Sequence, residues 1–183
     1  MKAVFAVDAM GGYAYKDGMP WAFGTYADDS NFYLNMTRGK NLLMGRNTWH
    51  AFENEQKGRL LKRSIVVTSI PEKATPFIRN VYEGNSFKIR KLITENPKTI
   101  DIDSVPRYAT DDTVVIGGPS LIDHLMSEKL ITELYVTRIP HIHRSDKFWE
   151  PTYDLFHYSS ENFTETRSGI KIQKIRKIIR TGL

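Results

Sequence analysis

The chain has 183 residues, a formal net charge of +5 and a sequence pI near 9.3, and 40% of its residues are hydrophobic. This length and composition predict one domain with a sizeable core, spanning residues 1–183. The lack of cysteine excludes disulfides, thiolate metal ligands and a cysteine nucleophile. Neither an apolar run of membrane-spanning length nor a targeting leader is visible, so we expect a soluble, cytoplasmic protein without a membrane partner.

The first predicted elements are a buried strand, a loop and a helix. Residues 1–9 (MKAVFAVDA) form a nearly continuous apolar run of strand length. Residues 11–21 (GGYAYKDGMPW) are rich in glycine and aromatic residues, a pattern typical of a loop that covers a site. We expect Asp28, Asp29 or Ser30 to cap a helix that runs to about residue 36.

The middle of the chain predicts two more buried strands and a second long helix. NLLM at 41–44 and SIVVTS at 64–69 have the strand pattern, and a turn with a short helix (GRNTWHAF) follows the first of them. The segment SFKIRKLITENP is helical in pattern, so we expect a helix from about residue 85 to about residue 95. Residues 96–112 mix alternation with turn residues and are interpreted as an irregular excursion.

The last third of the chain alternates again and then ends in a hairpin. The expected elements are a strand at 113–116, a helix at 120–126, a strand at 133–139 and a bulged antiparallel hairpin with arms at 156–165 and 170–179. This order predicts an α/β fold with a mostly parallel sheet and an antiparallel edge. His141 and His143 suit one face of a strand, but no third ligand is near in sequence. We therefore interpret them as loop residues and predict no metal site.

Two glycine turns have the position of a phosphate-binding site. In α/β sheets, ligands bind beyond the carboxyl ends of strands, where the following helices present N–H groups. Gly45-Arg46-Asn47-Thr48 follows one predicted strand and Gly117-Gly118-Pro119-Ser120 follows another. Glycine lets the backbone approach a ligand closely, and Arg46 adds a permanent positive charge. Together the two turns predict a site for the pyrophosphate of a dinucleotide.

An acidic pair stands at the head of the first predicted helix. An aspartate in this position is often only a helix cap. An apolar environment would instead raise the pKa of a carboxyl group and suit it to anchor a planar, amidine-like ring. Asp28 and Asp29 are close in sequence to four aromatic residues that provide such an environment, namely Trp21, Phe23, Phe32 and Tyr33.

The motifs MPW, MGRNTW, VVIGG and LYVTRI, in this order, resemble those of dihydrofolate reductases, and the resemblance runs along the whole chain. It implies a central, mostly parallel eight-stranded sheet with flanking helices and a C-terminal antiparallel hairpin. It also implies the NADPH-dependent reduction of 7,8-dihydrofolate to 5,6,7,8-tetrahydrofolate, which supplies one-carbon metabolism and thymidylate synthesis. Hydride passes from nicotinamide to the pterin ring, and the adjacent ring nitrogen gains a proton.

The resemblance implies a substrate site built around one acid. The family's spacing of acid, aromatic and threonine fits Asp29, Tyr33 and Thr37, so Asp29 is the implied pterin anchor, whereas Asp28 fits only if Phe32 is the aromatic. The implied catalytic residues are Asp29, Trp21 and Thr137. The implied substrate contacts are Val4, Ala6, Asp29, Tyr33, Arg63, Ile116, Tyr135 and Thr137. Arg63 would pair with the glutamate carboxylate of the substrate, with Arg59 and Lys62 as alternatives.

The resemblance implies NADPH as the cofactor. Met19, Pro20 and Trp21 match the mobile loop that closes over nicotinamide. Arg46, Thr68 and Ser69 match the cluster that holds the 2′-phosphate, which favours NADPH over NADH. The full set of implied cofactor contacts is Ala6, Tyr13, Met19, Gly45, Arg46, Asn47, Thr48, Thr68, Ser69, Ile116, Gly117, Gly118, Pro119, Ser120 and Leu121.

Several positions depart from the family pattern. Residues 22–28 (AFGTYAD) make the segment before Asp29 a few residues longer than in most relatives. Ser30 stands where a larger apolar residue commonly packs on the pterin. Pro119 replaces a third glycine, and Ile122 replaces a tyrosine. These departures affect the expected cofactor affinity and inhibitor response.

Other functions fit the sequence less well. A reductase of a pyrimidine ribosyl substrate is disfavoured by Trp21 and by the MGRNTW turn. A non-catalytic module that retained the fold would be expected to have lost the acid, yet Asp29 is present. A nucleic-acid binder is disfavoured because the basic residues are scattered. We therefore expect a monomer or weakly associated protein whose partners are dihydrofolate and NADPH.

Overall fold

The computed structural model describes residues 1–82, 89–152 and 157–178. The strands are β1 Lys2–Val7, β2 Gly12–Ala14, β3 Asn41–Gly45, β4 Ser64–Val67, β5 Phe77–Tyr82, β6 Ile89–Glu95, β7 Lys98–Ile100, β8 Thr113–Val115, β9 Glu133–Arg138, β10 Lys147–Phe148, β11 Tyr158–Glu165 and β12 Lys171–Lys177. The α-helices are α1 Ala27–Thr37, α2 Arg46–Ala51, α3 Asn54–Leu60 and α4 Pro119–Ser127. Short 3-10 turns occupy Leu61–Arg63, Pro71–Lys73 and Ile102–Tyr108.

The central sheet has eight strands in the order β11-β12-β9-β1-β8-β3-β4-β7. All pairs from β9 to β7 are parallel, whereas β12 runs antiparallel to both β9 and β11. This arrangement confirms the predicted α/β fold, with its mostly parallel sheet and antiparallel C-terminal hairpin. The carboxyl ends of β1, β3, β4 and β8 lie along one edge of the sheet, which is where a ligand site is expected.

Both faces of the sheet are covered, which explains the continuous apolar strands. In β3, Leu43 joins the core on one face, whereas Leu42 and Met44 join the core on the other, and all three are fully buried. Each such side chain contributes about 2 kcal/mol through burial. Helix α4 packs on the first face, and the aromatic residues Phe32 and Tyr33 of α1 pack on the second.

Helix α1 begins at Ala27, two residues earlier than an N-cap at Asp28 would allow. Tyr26 is the N-cap, with extended backbone and no side-chain capping bond. The expectation that Asp28, Asp29 or Ser30 caps the helix is therefore wrong. The three residues form the first turn instead, where the helix dipole favours acidic side chains. Gly39, at φ +70°, lies just beyond the C-terminal end of the helix at Thr37.

The helix expected from about residue 85 to 95 is also wrong in the part that the structure describes. Residues Ile89–Glu95 form β6, which pairs antiparallel with β5 in a separate two-stranded sheet. Tertiary pairing has overridden a helical pattern, as it often does for short segments rich in β-branched residues. Residues 85–88 lie outside the described residues.

Two parts of the chain are more regular than their sequence indicated. The excursion after residue 95 adds β7 to the edge of the main sheet and then forms a 3-10 turn. In the loop at 11–21, β2 pairs with β10.

The bulge of the terminal hairpin lies between Asn162 and Thr164, in its first arm. None of the helices that can be described is both long and apolar enough to cross a bilayer.

Candidate active site

Asp29 and Asp28 have different environments although they are neighbours on α1. Asp29 is 8% exposed, and burial raises the pKa of its carboxyl group, an effect that the Thr137 side chain opposes. Asp28 turns to the terminal hairpin, where its carboxylate accepts a 2.7 Å hydrogen bond from the Ser168 hydroxyl. Hydrogen bonds from Ser168 and Thr166 lower the pKa of Asp28. The structure thus presents Asp29, and not Asp28, to the interior.

The Thr137 hydroxyl lies on β9 opposite Ala6 of β1, near the carboxyl ends of both strands. It is fully buried, and its oxygen has no hydrogen-bond partner among the described residues. The hydroxyl is close enough to affect the pKa of Asp29, but the geometry falls short of a hydrogen bond. A buried hydroxyl without a partner among the described residues, beside a buried acid, makes this pair a candidate for contact with a polar ligand.

Helix α1 leads from Asp29 to a guanidinium group at its other end. Tyr33 lies one turn after Asp29, and burial raises the pKa of its hydroxyl to about 12, against the opposing charge of Arg63. The Arg63 guanidinium donates to the carbonyl oxygens of Thr37 at 2.6 Å and Lys40 at 3.4 Å. Asp29, Tyr33 and Arg63 therefore follow one another along this helix.

The alternatives to Arg63 are placed differently. The guanidinium of Arg59 pairs with the Glu55 carboxylate on the exposed surface of α3. Lys62 is exposed as well. Arg63 is half-buried, and no described acidic residue forms an ion pair with it. The geometry therefore favours Arg63 as the cation at the end of α1.

Apolar residues of three strands complete the floor beneath α1. Val4 and Ile116 are buried in the core that Phe32 and Tyr33 cover. Tyr135 is 5% exposed, with its ring centroid 5.6 Å from that of Phe32 and its hydroxyl donating to Glu133. These residues form an apolar surface, and the Asp29 carboxyl and the Thr137 hydroxyl are polar groups beside it.

The two glycine turns meet beyond β3 and β8. The Gly45 N–H donates to the Gly117 carbonyl at 2.9 Å, and the Gly117-Gly118 peptide bond is cis. Gly117 has φ +127°, and a Cβ there would lie 3.3 Å from the Thr48 hydroxyl. A Cβ on Gly118 would lie 3.5 Å from the same oxygen. The predicted turns therefore form one glycine-lined cradle, which Thr48 borders and from which α4 starts.

The implied 2′-phosphate cluster lies at two adjacent strand ends. β3 and β4 pair in parallel up to Gly45 and Val67, so Arg46 and Thr68 follow directly on neighbouring strands. Arg46 is half-buried and makes no ion pair within the described ranges. The Thr68 hydroxyl is 9% exposed and accepts from the Ile70 N–H at 3.1 Å. Ser69 and Asn47 are exposed.

The loop before the inserted segment is held by aromatic contacts. Trp21 is 6% exposed and packs with Ile139 and Ile170, with its ring 5.2 Å from His143 and 6.2 Å from Tyr26. Met19 is 48% exposed. Trp21 is thus an anchored base for the loop, and Met19 is its accessible part.

Tyr13 and His143 both contact other aromatic side chains. The Tyr13 ring packs on Phe5, on the face of β1 opposite to Val4 and Ala6, so it is not brought to the side of Asp29. His143 is half-buried, and its Nε2 is 2.7 Å from the Tyr26 hydroxyl. Within the described part of the chain, no group of three His, Asp or Glu side chains is arranged to hold a metal ion.

Sequence reasoning missed the role of Asp8, which joins two loops beside the site. Its fully buried carboxylate accepts from the backbone N–H groups of Met10 at 2.8 Å, Gly12 at 2.7 Å and His143 at 3.0 Å. Burial raises the pKa of Asp8, but these three donors outweigh it and lower the pKa overall. An aspartate at the end of a predicted strand, three residues before a Gly-Gly turn, is the signal that could have indicated such a loop anchor.

The chain is similar in sequence and in fold to known dihydrofolate reductases. The viral dihydrofolate reductase of Saimiriine herpesvirus 2 (strain 488) is 29% identical over 203 aligned positions, covering 100% of this chain and 87% of that protein. The dihydrofolate reductase of Neisseria gonorrhoeae is 24% identical over 155 positions, covering 85% of this chain and 81% of that protein. A solved structure of dihydrofolate reductase from Enterococcus faecalis, complexed with NADP(H) and RAB-propyl, shares the fold of this chain with a TM-score of 0.65. The similarity covers 96% of this chain and 95% of that one, at 19% sequence identity.

The family assignment covers nearly the whole chain. Residues 1–176 match the family model described as "Dihydrofolate reductase". The matched range includes the sheet, the glycine cradle and the buried acid of α1. The chain therefore belongs to the dihydrofolate reductase family.

Proposed function

We propose that this protein catalyses the NADPH-dependent reduction of 7,8-dihydrofolate to 5,6,7,8-tetrahydrofolate, and that it acts as a monomer in the cytoplasm. The observation that carries the proposal is the pair formed by the buried Asp29 carboxyl of α1 and the Thr137 hydroxyl, which has no hydrogen-bond partner among the described residues and lies near the ends of β1 and β9. A pterin presents an amino group and an adjacent ring N–H, which match one carboxylate. The apolar floor beneath α1 suits the rest of its ring.

The residues of the glycine cradle fit a dinucleotide cofactor. A Cβ at Gly117 or Gly118 would occupy space against Thr48, so glycine keeps the backbone open to a pyrophosphate. Arg46, without an acidic partner among the described residues, suits a phosphate at the adjoining strand end. When bound, NADPH supplies the hydride of the reaction.

The protein's own residues orient the substrate and control the proton. Asp29 accepts hydrogen bonds from the pterin amino group and ring N–H, and its negative charge raises the basicity of the nitrogen that water protonates. Thr137 completes the hydrogen bonding of Asp29 and the substrate. Trp21, anchored by Ile139 and Ile170, positions the Met19 loop that excludes water from the hydride path.

The direct test follows the loss of NADPH absorbance after dihydrofolate is added to the purified protein. The expected result is steady turnover that needs both compounds and stops when an antifolate competes with the substrate. Tight binding of both compounds without turnover would instead support a non-catalytic module that retains the fold. Lack of binding to either compound contradicts the proposal.

Arg63 is expected to set the affinity for the glutamate carboxylate of the substrate. Arg63→Lys keeps the charge but loses the planar fork, so KM for dihydrofolate rises about tenfold while kcat changes little. The KM for dihydropteroate, which lacks the glutamate, stays unchanged. Steady-state kinetics with both substrates measure the difference, and Arg59→Lys is the matched control on the exposed surface. A tenfold rise for the Arg59 or Lys62 variant, and not for Arg63, contradicts this assignment.

Arg46 is expected to distinguish NADPH from NADH. Arg46→Gln removes the charge that would face the 2′-phosphate, so kcat/KM for NADPH falls about tenfold or more. The value for NADH, which lacks that phosphate, changes by less than about twofold. The ratio of the two kcat/KM values is the measurement, because general damage to the fold would lower both. An unchanged ratio would show that Arg46 does not read the phosphate.

A further inference from the structure

The inserted segment, residues 22–28, is folded onto helix α1. Ser30 is 7% exposed, and its hydroxyl accepts a 3.0 Å hydrogen bond from the Gly24 N–H. The Thr25 N–H donates to the Ala22 carbonyl at 3.1 Å, which closes a turn within the segment. Within the segment, Tyr26 is the N-cap of α1 and is held by His143 and Trp21, and residues 27 and 28 begin the helix. The segment therefore has a defined position relative to Asp29.

Phe23 is the residue that this turn projects along the helix. Its ring meets the Tyr33 ring edge-on, with centroids 5.9 Å apart and planes at 77°. Phe23 nevertheless remains 52% exposed, which leaves about half of a large aromatic side chain available for another contact. The small Ser30 allows this arrangement, because its hydroxyl holds Gly24 beside the helix.

The position of Tyr33 shows which part of a ligand would reach Phe23. Tyr33 is four residues after Asp29, about 6 Å along the helix axis, and it lies close enough to Arg63 for that charge to oppose the effect of burial, which raises the pKa of the Tyr33 hydroxyl. A molecule held by Asp29 at one end and by Arg63 at the other passes the Tyr33 ring between them. In dihydrofolate, the part between the pterin and the glutamate is the flat p-aminobenzoyl ring.

We propose that Phe23 is a specificity-determining residue that contacts the p-aminobenzoyl ring of dihydrofolate together with Tyr33. Aromatic pairs of this kind prefer edge-to-face or offset geometry, and the edge-on pair of Phe23 and Tyr33 offers both to a third ring. This inference rests on the proposed function and concerns only the middle of the substrate.

The test compares Phe23→Ala with wild type on two substrates. KM for dihydrofolate is expected to rise about fivefold to tenfold, with kcat and the KM for NADPH within about twofold of wild type. For 6-methyl-7,8-dihydropterin, which has no benzoyl ring, Phe23→Ala and wild type are expected to have the same kcat/KM. Phe23→Tyr, which keeps the ring, is expected to restore the low KM for dihydrofolate.

Leu34→Ala is the matched control, since Leu34 is a 46% exposed apolar residue of the same helix. It is expected to leave all kinetic constants unchanged, and thermal unfolding checks that each variant is folded. An active wild type with an unchanged KM in Phe23→Ala overturns this inference alone. An equal loss on the dihydropterin also overturns it, because the contact would then lie elsewhere. An inactive wild type overturns the proposed function and this inference with it.

Discussion

Asp29→Asn is expected to lower kcat/KM for dihydrofolate by about 100-fold or more at neutral pH. The carboxylate is the one acidic group that α1 presents to the interior, and it lies beside the Thr137 hydroxyl, which has no hydrogen-bond partner in the described part of the chain. An asparagine of the same shape keeps the packing but cannot hold a negative charge beside the pterin. Steady-state kinetics across a range of pH measure the effect.

Asp28→Asn is the matched control for that variant. Its carboxylate accepts from Ser168 on the terminal hairpin, so its loss is expected to change kcat/KM by less than about twofold. The assignment of Asp29 fails if the Asp28 variant loses turnover while the Asp29 variant keeps it.

Stability provides a second readout for Asp29. Burial raises its pKa in the folded protein, so the folded state binds the proton more tightly than the unfolded state. The protonated Asp29 side chain therefore contributes favourably to the free energy of unfolding below the pKa of Asp29 in the unfolded state. This contribution is lost as the pH rises through the pKa of Asp29 in the folded state. At neutral pH, Asp29→Asn is expected to unfold at a higher denaturant concentration than wild type while being far less active. Such a trade between stability and activity is typical of a functional group and not of a structural one.

Glu133→Gln is expected to lower the free energy of unfolding by about 2 kcal/mol at neutral pH. Its carboxylate accepts from Lys174 at 2.7 Å and from the Tyr135 hydroxyl at 3.0 Å, and it pairs with Lys2 at 3.2 Å. Burial of the carboxyl group acts to raise its pKa, but these partners outweigh burial and lower the pKa to about 2. Glutamine also leaves the Lys174 ammonium, whose side chain is only 9% exposed, without this carboxylate.

The pH dependence of this effect has a definite sign. Because the folded pKa of Glu133 is depressed from 4.5 to about 2, its stabilisation is present above 4.5 and is lost as the pH falls towards 2. Urea unfolding of wild type and variant is expected to differ most above pH 4.5 and to converge at lower pH. Glu165→Gln is the control, because its pair with Lys171 is exposed and 3.9 Å long. A difference that is independent of pH would contradict the role of the Glu133 charge.

The acidic pair shows how far local sequence information reaches. The residues around it predicted a helix and an apolar environment, and the family spacing favoured Asp29. Successive residues on a helix point about 100° apart. Which of the two faces the interior therefore depends on how α1 is rotated against the sheet. Packing of Phe32 and Tyr33 on the core sets that rotation, and Ser168 then holds Asp28 outside.

The β6 segment shows the opposite case, in which the local pattern was misleading. Its residues were consistent with a helix, yet pairing with β5 made them a strand. The placement of Phe23 on Tyr33 was equally hidden, because it depends on a hydrogen bond between Ser30 and Gly24 and on two rings ten residues apart. Contacts of this kind have no periodic signal in the sequence.

The sequence by itself determined the α/β class, the buried strands and the two glycine turns, because apolar runs and glycine requirements are properties of a few consecutive residues. It also limited the candidates for the pterin anchor to Asp28 and Asp29. The candidates for the cation that pairs with the glutamate carboxylate were limited to Arg59, Lys62 and Arg63. Only the tertiary structure distinguishes the surroundings of these candidates, since Asp29, Thr137 and Arg63 come from different elements that meet when the sheet forms. Their burial and hydrogen bonding are properties of that assembly and not of any one segment.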